Sequence, residues 1–160
     1  HVLWISEDRD GFMRSLVQRV SSAKVSVAGW VVGRLDRQGL LVFVGVTPGD
    51  GQAEIDWMVR RLLNQQVFED GSSVLSAGAP LLVVSQFTLY GSVRKGRHPS
   101  WTHAAPGEVA RPIFEKLVAD LRAGGAQVQT GVFGAMMQVS LVNEGPFTLW
   151  LAKEPAGFPL

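Results

Sequence analysis

Two short segments hold the residue types and spacing for chemistry, Ser85-Gln86-Phe87-Thr88-Leu89 and Asn143-Glu144-Gly145-Pro146-Phe147-Thr148. In the first, Ser85 and Thr88 place hydroxyls at the end of an apolar run, where a nucleophile would be presented. No histidine or lysine stands close by in sequence to activate either one. A strand end also leaves backbone N–H groups without ladder partners, and those of Gln86 and Phe87 are the candidates to receive a developing oxyanion. The second segment sets Gly-Pro inside a strand-like stretch. Proline cannot donate to a ladder, and an X-Pro bond is where the cis form becomes accessible. A segment that accepts both is expected to be used for the shape of its backbone.

A third stretch, Arg94-Lys95-Gly96-Arg97-His98-Pro99-Ser100-Trp101, is the densest basic run. Basic loops are commonly just solvated. Here Gly96 and Pro99 would hold the backbone and Trp101 offers a stacking face, a combination suited to a nucleic-acid backbone and an unpaired base. Other candidates are plainer. Gly49-Asp50-Gly51 and Glu69-Asp70-Gly71 read as turns, and Met136-Met137 as core or pocket lining. His1, His98 and His103 are too scattered for a metal site, and no cofactor motif is present. There is no G-x-S-x-G elbow, Walker loop, H-E-x-x-H or G-x-G-x-x-G after a strand.

These segments need a scaffold. The 160 residues suggest one domain with a real core, and 46% hydrophobic content argues against disorder. Net charge is +1, so a nucleic acid would be held by a local patch rather than an overall field. Cysteine is absent, which excludes disulfides and thiolate sites and fits a reducing compartment. No apolar run is long enough to span a bilayer. Residues 1–12 are acidic and aperiodic and lack the features of a signal peptide. They are expected to be an extension, either appended sequence or a misassigned upstream start, before a domain over 13–152 and a tail over 153–160.

Along that domain, Met13 to Val20 alternates as a strand, and Val25–Val27 with Trp30–Leu35 brackets a hairpin turn at Ala28-Gly29. Leu40 to Val46 and Leu81 to Phe87 are continuous apolar runs, read as buried strands. Ile55, Met58, Val59, Leu62 and Leu63 follow helical spacing, predicting a helix over roughly 52–65. Ile113, Phe114, Leu117, Val118 and Leu121 make a second, ended by Gly124-Gly125. Residues 91–107 read as a long polar loop. Three strands close the chain, over 128–133, 137–142 and 147–152. About eight strands and two amphipathic helices predict an α/β fold with sheets covered by helices on one face.

Taken in order, MRSLVQRVSSAKVSV (13–27), SQFTLY (85–90), RKGRHPSWT (94–102), FGAMMQV (133–139) and NEGPFT (143–148) resemble the D-aminoacyl-tRNA deacylase family, also called D-tyrosyl-tRNA deacylase. The resemblance covers residues 13–152. It implies a three-layer β/β/α homodimer, a cytoplasmic enzyme without metal or cofactor, and the aminoacylated end of tRNA as substrate. The family's Ser-Gln-x-x-Leu motif falls on Ser85, Gln86 and Leu89, and its Asn-x-Gly-Pro-x-Thr motif on Asn143, Gly145, Pro146 and Thr148. It implies that the Gly-Pro bond is cis and reaches into the partner subunit's pocket. It also implies that Arg19 fixes the orientation of this segment and that Met137 lines the pocket. Thr88 stands where a threonine nucleophile has been considered, and Arg94, Lys95 and Arg97 are the candidate tRNA contacts.

The activity implied is hydrolysis of the ester of D-aminoacyl-tRNA. Backbone carbonyls beside Pro146 would hold the substrate ammonium, and rigid backbone would exclude an L side chain. Specificity would then come from rejection, and glycine, which has no side chain, would leak through. Phe147 departs from the valine usual in the motif. A related group acting on L-alanyl-tRNA carries an aromatic there, with the bond trans. That activity, and a non-catalytic nucleic-acid-binding dimer, are the alternative readings.

Overall fold

The computed structural model describes residues 12–153, so the expectations for residues 1–11 and 154–160 lie outside the described residues. Six strands appear: β1 (Arg14–Val27), β2 (Trp30–Leu35), β3 (Gly39–Gly45), β4 (Leu81–Ser85), β5 (Val128–Thr130) and β6 (Gln138–Ala152). Helices α1 (Gln52–Asn64) and α2 (Val74–Ala77) connect β3 to β4, and α3 (Gly107–Ala123) connects β4 to β5. Both of those strand pairs are parallel, and a parallel pair needs a crossover of this kind.

The long strand β1 organises the sheet. Its first half pairs with β3 on one side and β6 on the other. Its second half exchanges β3 for β2 through the predicted hairpin, whose turn residues Ala28 and Gly29 both have positive φ. The two sheet layers expected from the sequence are therefore arms of one ladder, in the order β2-β1-β3-β4-β5 with β6 also on β1. The arms fold towards each other until β2 meets β5. A Cβ at Gly33 would stand 2.5 Å from the Thr130 carbonyl oxygen, so only glycine permits this approach.

The continuous apolar runs of β3 and β4 follow from burial on both faces. Successive side chains alternate sides. Leu40, Val42, Val44, Leu81 and Val83 face the helices, where they join Ile55, Met58 and Leu62 of α1 and Phe114, Leu117 and Leu121 of α3. Leu41, Leu82 and Val84 face the other way and pack with Val20, Ala23, Val25 and Leu35 between the arms.

Several expectations shift: the roughly eight strands are six among the described residues, β1 runs unbroken to Val27, β4 stops at Ser85 short of Phe87, and β5 stops at Thr130. Helix α3 begins at Gly107 and runs through Pro112, six residues ahead of the apolar repeat that announced it. The two last predicted strands are one, β6, because the Gly-Pro segment interrupts pairing without ending the strand.

Candidate active site

Strand β4 delivers the Ser-Gln segment to the edge of a cavity of about 520 Å³. Ser85, Gln86 and Phe87 line it on one side. Opposite stand the small residues Ala104 to Gly107 ahead of α3, with Phe114, Phe133 and Met137 completing the wall. Gly131 makes room for Met137, since a Cβ there would lie 2.5 Å from the methionine sulfur.

After Ser85 the backbone makes one more sheet bond, from Gln86 N–H to the Val44 carbonyl at 2.7 Å, and then winds into a 3₁₀ turn over Phe87–Tyr90. The sequence reading gave the oxyanion donors as Gln86 and Phe87; the first of these N–H groups is committed to β3. The N–H groups of Phe87 and Thr88 open the turn, where no preceding turn supplies acceptors, and neither has a partner among the described residues. The free donor pair thus lies one residue later, because the parallel ladder extends one residue past the strand's apparent end.

Thr88 is exposed, and its hydroxyl accepts a hydrogen bond from Gln86 Nε2. Among the described residues no basic group accepts its proton. The turn is set firmly against β3. Gly45 leaves the space that Tyr90 fills, as a Cβ there would lie 3.1 Å from its ring and 3.2 Å from the Gln86 carbonyl oxygen. Beyond the turn, Ser92 and Ser100 exchange backbone bonds of 2.8 and 2.7 Å. This closes the polar loop into a stem with Arg94, Lys95 and Arg97 exposed at its tip. At its base the Trp101 ring covers Gly91 and meets Phe87 edge-on, with centroids 5.3 Å apart, at the cavity rim.

The second cluster is built on β6. Gln18 pairs with Thr148 and Val20 with Asn143, so four residues, Glu144 to Phe147, stand opposite Arg19 alone. The Gly145–Pro146 bond in this bulge is cis, and φ at Gly145 is +136°. Asn143 staples the bulge, its Nδ2 donating to the carbonyls of Arg19 at 3.0 Å and Phe147 at 2.8 Å. Arg19 Nε donates to the Glu144 carbonyl at 3.1 Å and Nη1 to the Val67 carbonyl at 2.9 Å. The Arg19 guanidinium lies 5.0 Å from the centroid of the Phe147 ring. That ring packs against the helical core, so the departure from valine adds a face for Arg19 instead of altering the outer surface. Thr148 accepts from Gln18 Nε2 at 3.2 Å.

Of the predicted residues, Ser85, Gln86, Phe87 and Met137 meet at the cavity, with Thr88 on the adjoining turn. Arg19, Asn143, Gly145, Pro146 and Thr148 form the separate bulge cluster and do not line that cavity within one chain. Sequence reasoning missed the wall of small residues before α3. The run Ala104-Ala105-Pro106-Gly107 was the available signal, since side chains this small ahead of a helix leave a hollow.

Among the described residues there is no group of three acidic, histidine or cysteine side chains placed to hold a metal, and no helix is long and apolar enough to cross a membrane.

Comparison with known proteins agrees with these features. The family model for D-Tyr-tRNA(Tyr) deacylase matches residues 16–152. A D-aminoacyl-tRNA deacylase of Thermobifida fusca is 58% identical over 139 residues, covering 87% of this chain and 99% of the relative. One from Micrococcus luteus is 52% identical over 147 residues, covering 92% and 98%. Among solved structures, a c-Myc DNA unwinding element binding protein superimposes with a TM-score of 0.82 at 37% identity, covering 89% of this chain and 99% of that one. A probable eukaryotic D-amino acid tRNA deacylase shares the fold at 19% identity, with a TM-score of 0.77 and coverage of 88% and 99%. With both motifs in place on this fold, and a family match over almost all described residues, the chain belongs to the D-Tyr-tRNA(Tyr) deacylase family.

Proposed function

We propose that this protein hydrolyses the ester bond of D-aminoacyl-tRNA to a free D-amino acid and tRNA, and rejects L-aminoacyl-tRNA. The observation that carries this reading is the turn at the cavity edge, with two adjacent unpartnered backbone donors at Phe87 and Thr88 and no activated side-chain nucleophile beside them. An aminoacyl ester is already reactive. Water attacks its carbonyl, the two N–H groups take the negative charge, and the acyl C–O bond breaks to release the ribose oxygen with its proton. A neighbouring ribose hydroxyl orients the water. Positioning and an oxyanion hole suffice for such a step.

Chiral selection falls to the Gly145-Pro146 bulge, acting across a homodimer. Two observations support this. The bulge does not line its own cavity, and Val142, Glu144, Pro146, Thr148 and Trp150 of β6 are all exposed. Arg19 and Asn143 hold the bulge, Met137 lines the cavity, and the exposed tip bearing Arg94, Lys95 and Arg97 grips the tRNA backbone. The cytoplasm, where tRNA is charged, is the matching location. The bond is cis, unlike the trans form of the L-alanyl group, and Phe147 is occupied with Arg19.

The test is hydrolysis of D-tyrosyl- and L-tyrosyl-tRNA by the purified protein. Rapid release from the D form and little from the L form is expected, with slow release from glycyl-tRNA. Equal cleavage of both, or of neither, refutes the proposal; tRNA binding without cleavage would instead assign a nucleic-acid-binding protein.

A further inference from the structure

The turn that presents the two free N–H groups is itself gripped from below by a residue outside both motifs. Arg14, the first residue of β1, donates from Nη1 to the Leu89 carbonyl at 2.9 Å. Its guanidinium lies over the Tyr90 ring at 4.4 Å from the centroid and reaches the Trp150 ring at 5.7 Å. Leu89 and Tyr90 are the last two residues of the turn whose first two are Phe87 and Thr88.

We propose that Arg14 is a positioning residue for the oxyanion-binding turn. The inference rests on the deacylase reading above. A 3₁₀ turn of four residues has few internal bonds, and its geometry is held mainly from outside. Here Tyr90 is buried, with its hydroxyl donating to the Phe12 carbonyl and its ring against Gly45. Trp101 meets Phe87 at the start of the turn, and Arg14 adds the hold from β1 at its end. Its planar fork meets a carbonyl edge-on and an aromatic ring face-on at once, which a lysine cannot do. The same cation reaches Trp150 on β6, so the catalytic turn and the strand bearing the Gly-Pro bulge are tied to one side chain. A shift of the turn by about 1 Å would cost on the order of a hundredfold in rate.

Arg14→Met keeps the apolar stem and removes the fork. With D-tyrosyl-tRNA its kcat is expected to fall ten- to hundredfold while KM stays within twofold. The amide resonances of Phe87 and Thr88 should shift and exchange faster with solvent, while those of α1 remain in place. Arg14→Lys should recover only part of the loss, because an ammonium can still donate to the Leu89 carbonyl but cannot lie flat on the Tyr90 ring at the same time. Should the methionine variant fail to fold, Arg14→Leu takes its place with the same readouts. Unchanged kcat with unchanged Phe87 and Thr88 amides overturns the proposal, as does a lysine variant no better than the methionine one. The amide measurement needs no substrate. If wild type cleaves no D-aminoacyl-tRNA, the deacylase reading fails, and the amides still decide whether Arg14 holds the turn.

Discussion

Thr88 is the residue where two mechanisms part. As a nucleophile it would need a base to take its proton, but its oxygen accepts from Gln86 Nε2 instead. In the backbone mechanism only its N–H matters, and that survives truncation. Thr88→Ala is expected to retain kcat within about fivefold in single-turnover deacylation, small against the 10²–10³ lost with an oxyanion donor. A loss beyond a thousandfold would restore the covalent route. At this scale the sequence showed which residues gather at the cavity better than which of their atoms face it. Ser85, Gln86 and Phe87 were legible because a strand end rich in hydroxyl and amide groups is unusual. The free donors were assigned one residue early, because ladder register depends on β3, which lies far away in sequence. Arg14 carried no signal at all: an arginine opening a strand looks like ordinary surface.

At the scale of elements, β1 is fastened at its start by Asp50 in the loop after β3. The Asp50 carboxylate accepts from Met13 N–H at 2.9 Å and Thr47 N–H at 3.0 Å. Burial, aided by the nearby Glu54 charge and opposed by those two donors, pushes its pKa up from 3.8 to about 7. In the unfolded chain Asp50 loses its proton near pH 4, whereas the folded protein keeps it to about pH 7. Over that window the unfolded state binds fewer protons, so Asp50 makes stability fall as pH rises. Denaturant unfolding at pH 5 and pH 7.5 should show the decline in wild type and a shallower one in Asp50→Asn. Equal slopes would remove the assignment. The elements themselves were largely readable. Both apolar runs became β3 and β4, and the Ala28-Gly29 turn became the β1–β2 hairpin. The failures came where local chemistry contradicts the element around it: Pro112 inside α3, and Gly145-Pro146 inside β6.

For the whole molecule, the open question is what covers β6. On both sides of the Gly-Pro bulge its even-numbered residues are exposed as far as Trp150, with Val142 at 55% before the bulge and Trp150 at 46% after it. If a second copy lies there, the purified protein should sediment at twice 17.3 kDa. Val142→Lys should give monomers at micromolar concentration with activity reduced at least tenfold, since each cavity would lose its partner's bulge. A monomeric wild type with full activity would place selection within one chain. Fold class was accessible from the sequence because two helices and many strands allow few layered arrangements. The curling of one ladder into two arms was not, since it hinges on how closely Gly33 approaches Thr130.

Strands β3 and β4 act as a party wall. Every second side chain belongs to the room under the helices, and the others to the room between the arms. Neither room can be rebuilt alone, because a one-residue slip in either strand would move each side chain into the wrong one. The Val44 carbonyl that holds Gln86 N–H is part of that wall. The placement of the turn after β4 is thus underwritten by the packing of both interiors together, and mutational drift in either interior is felt at the same peptide groups.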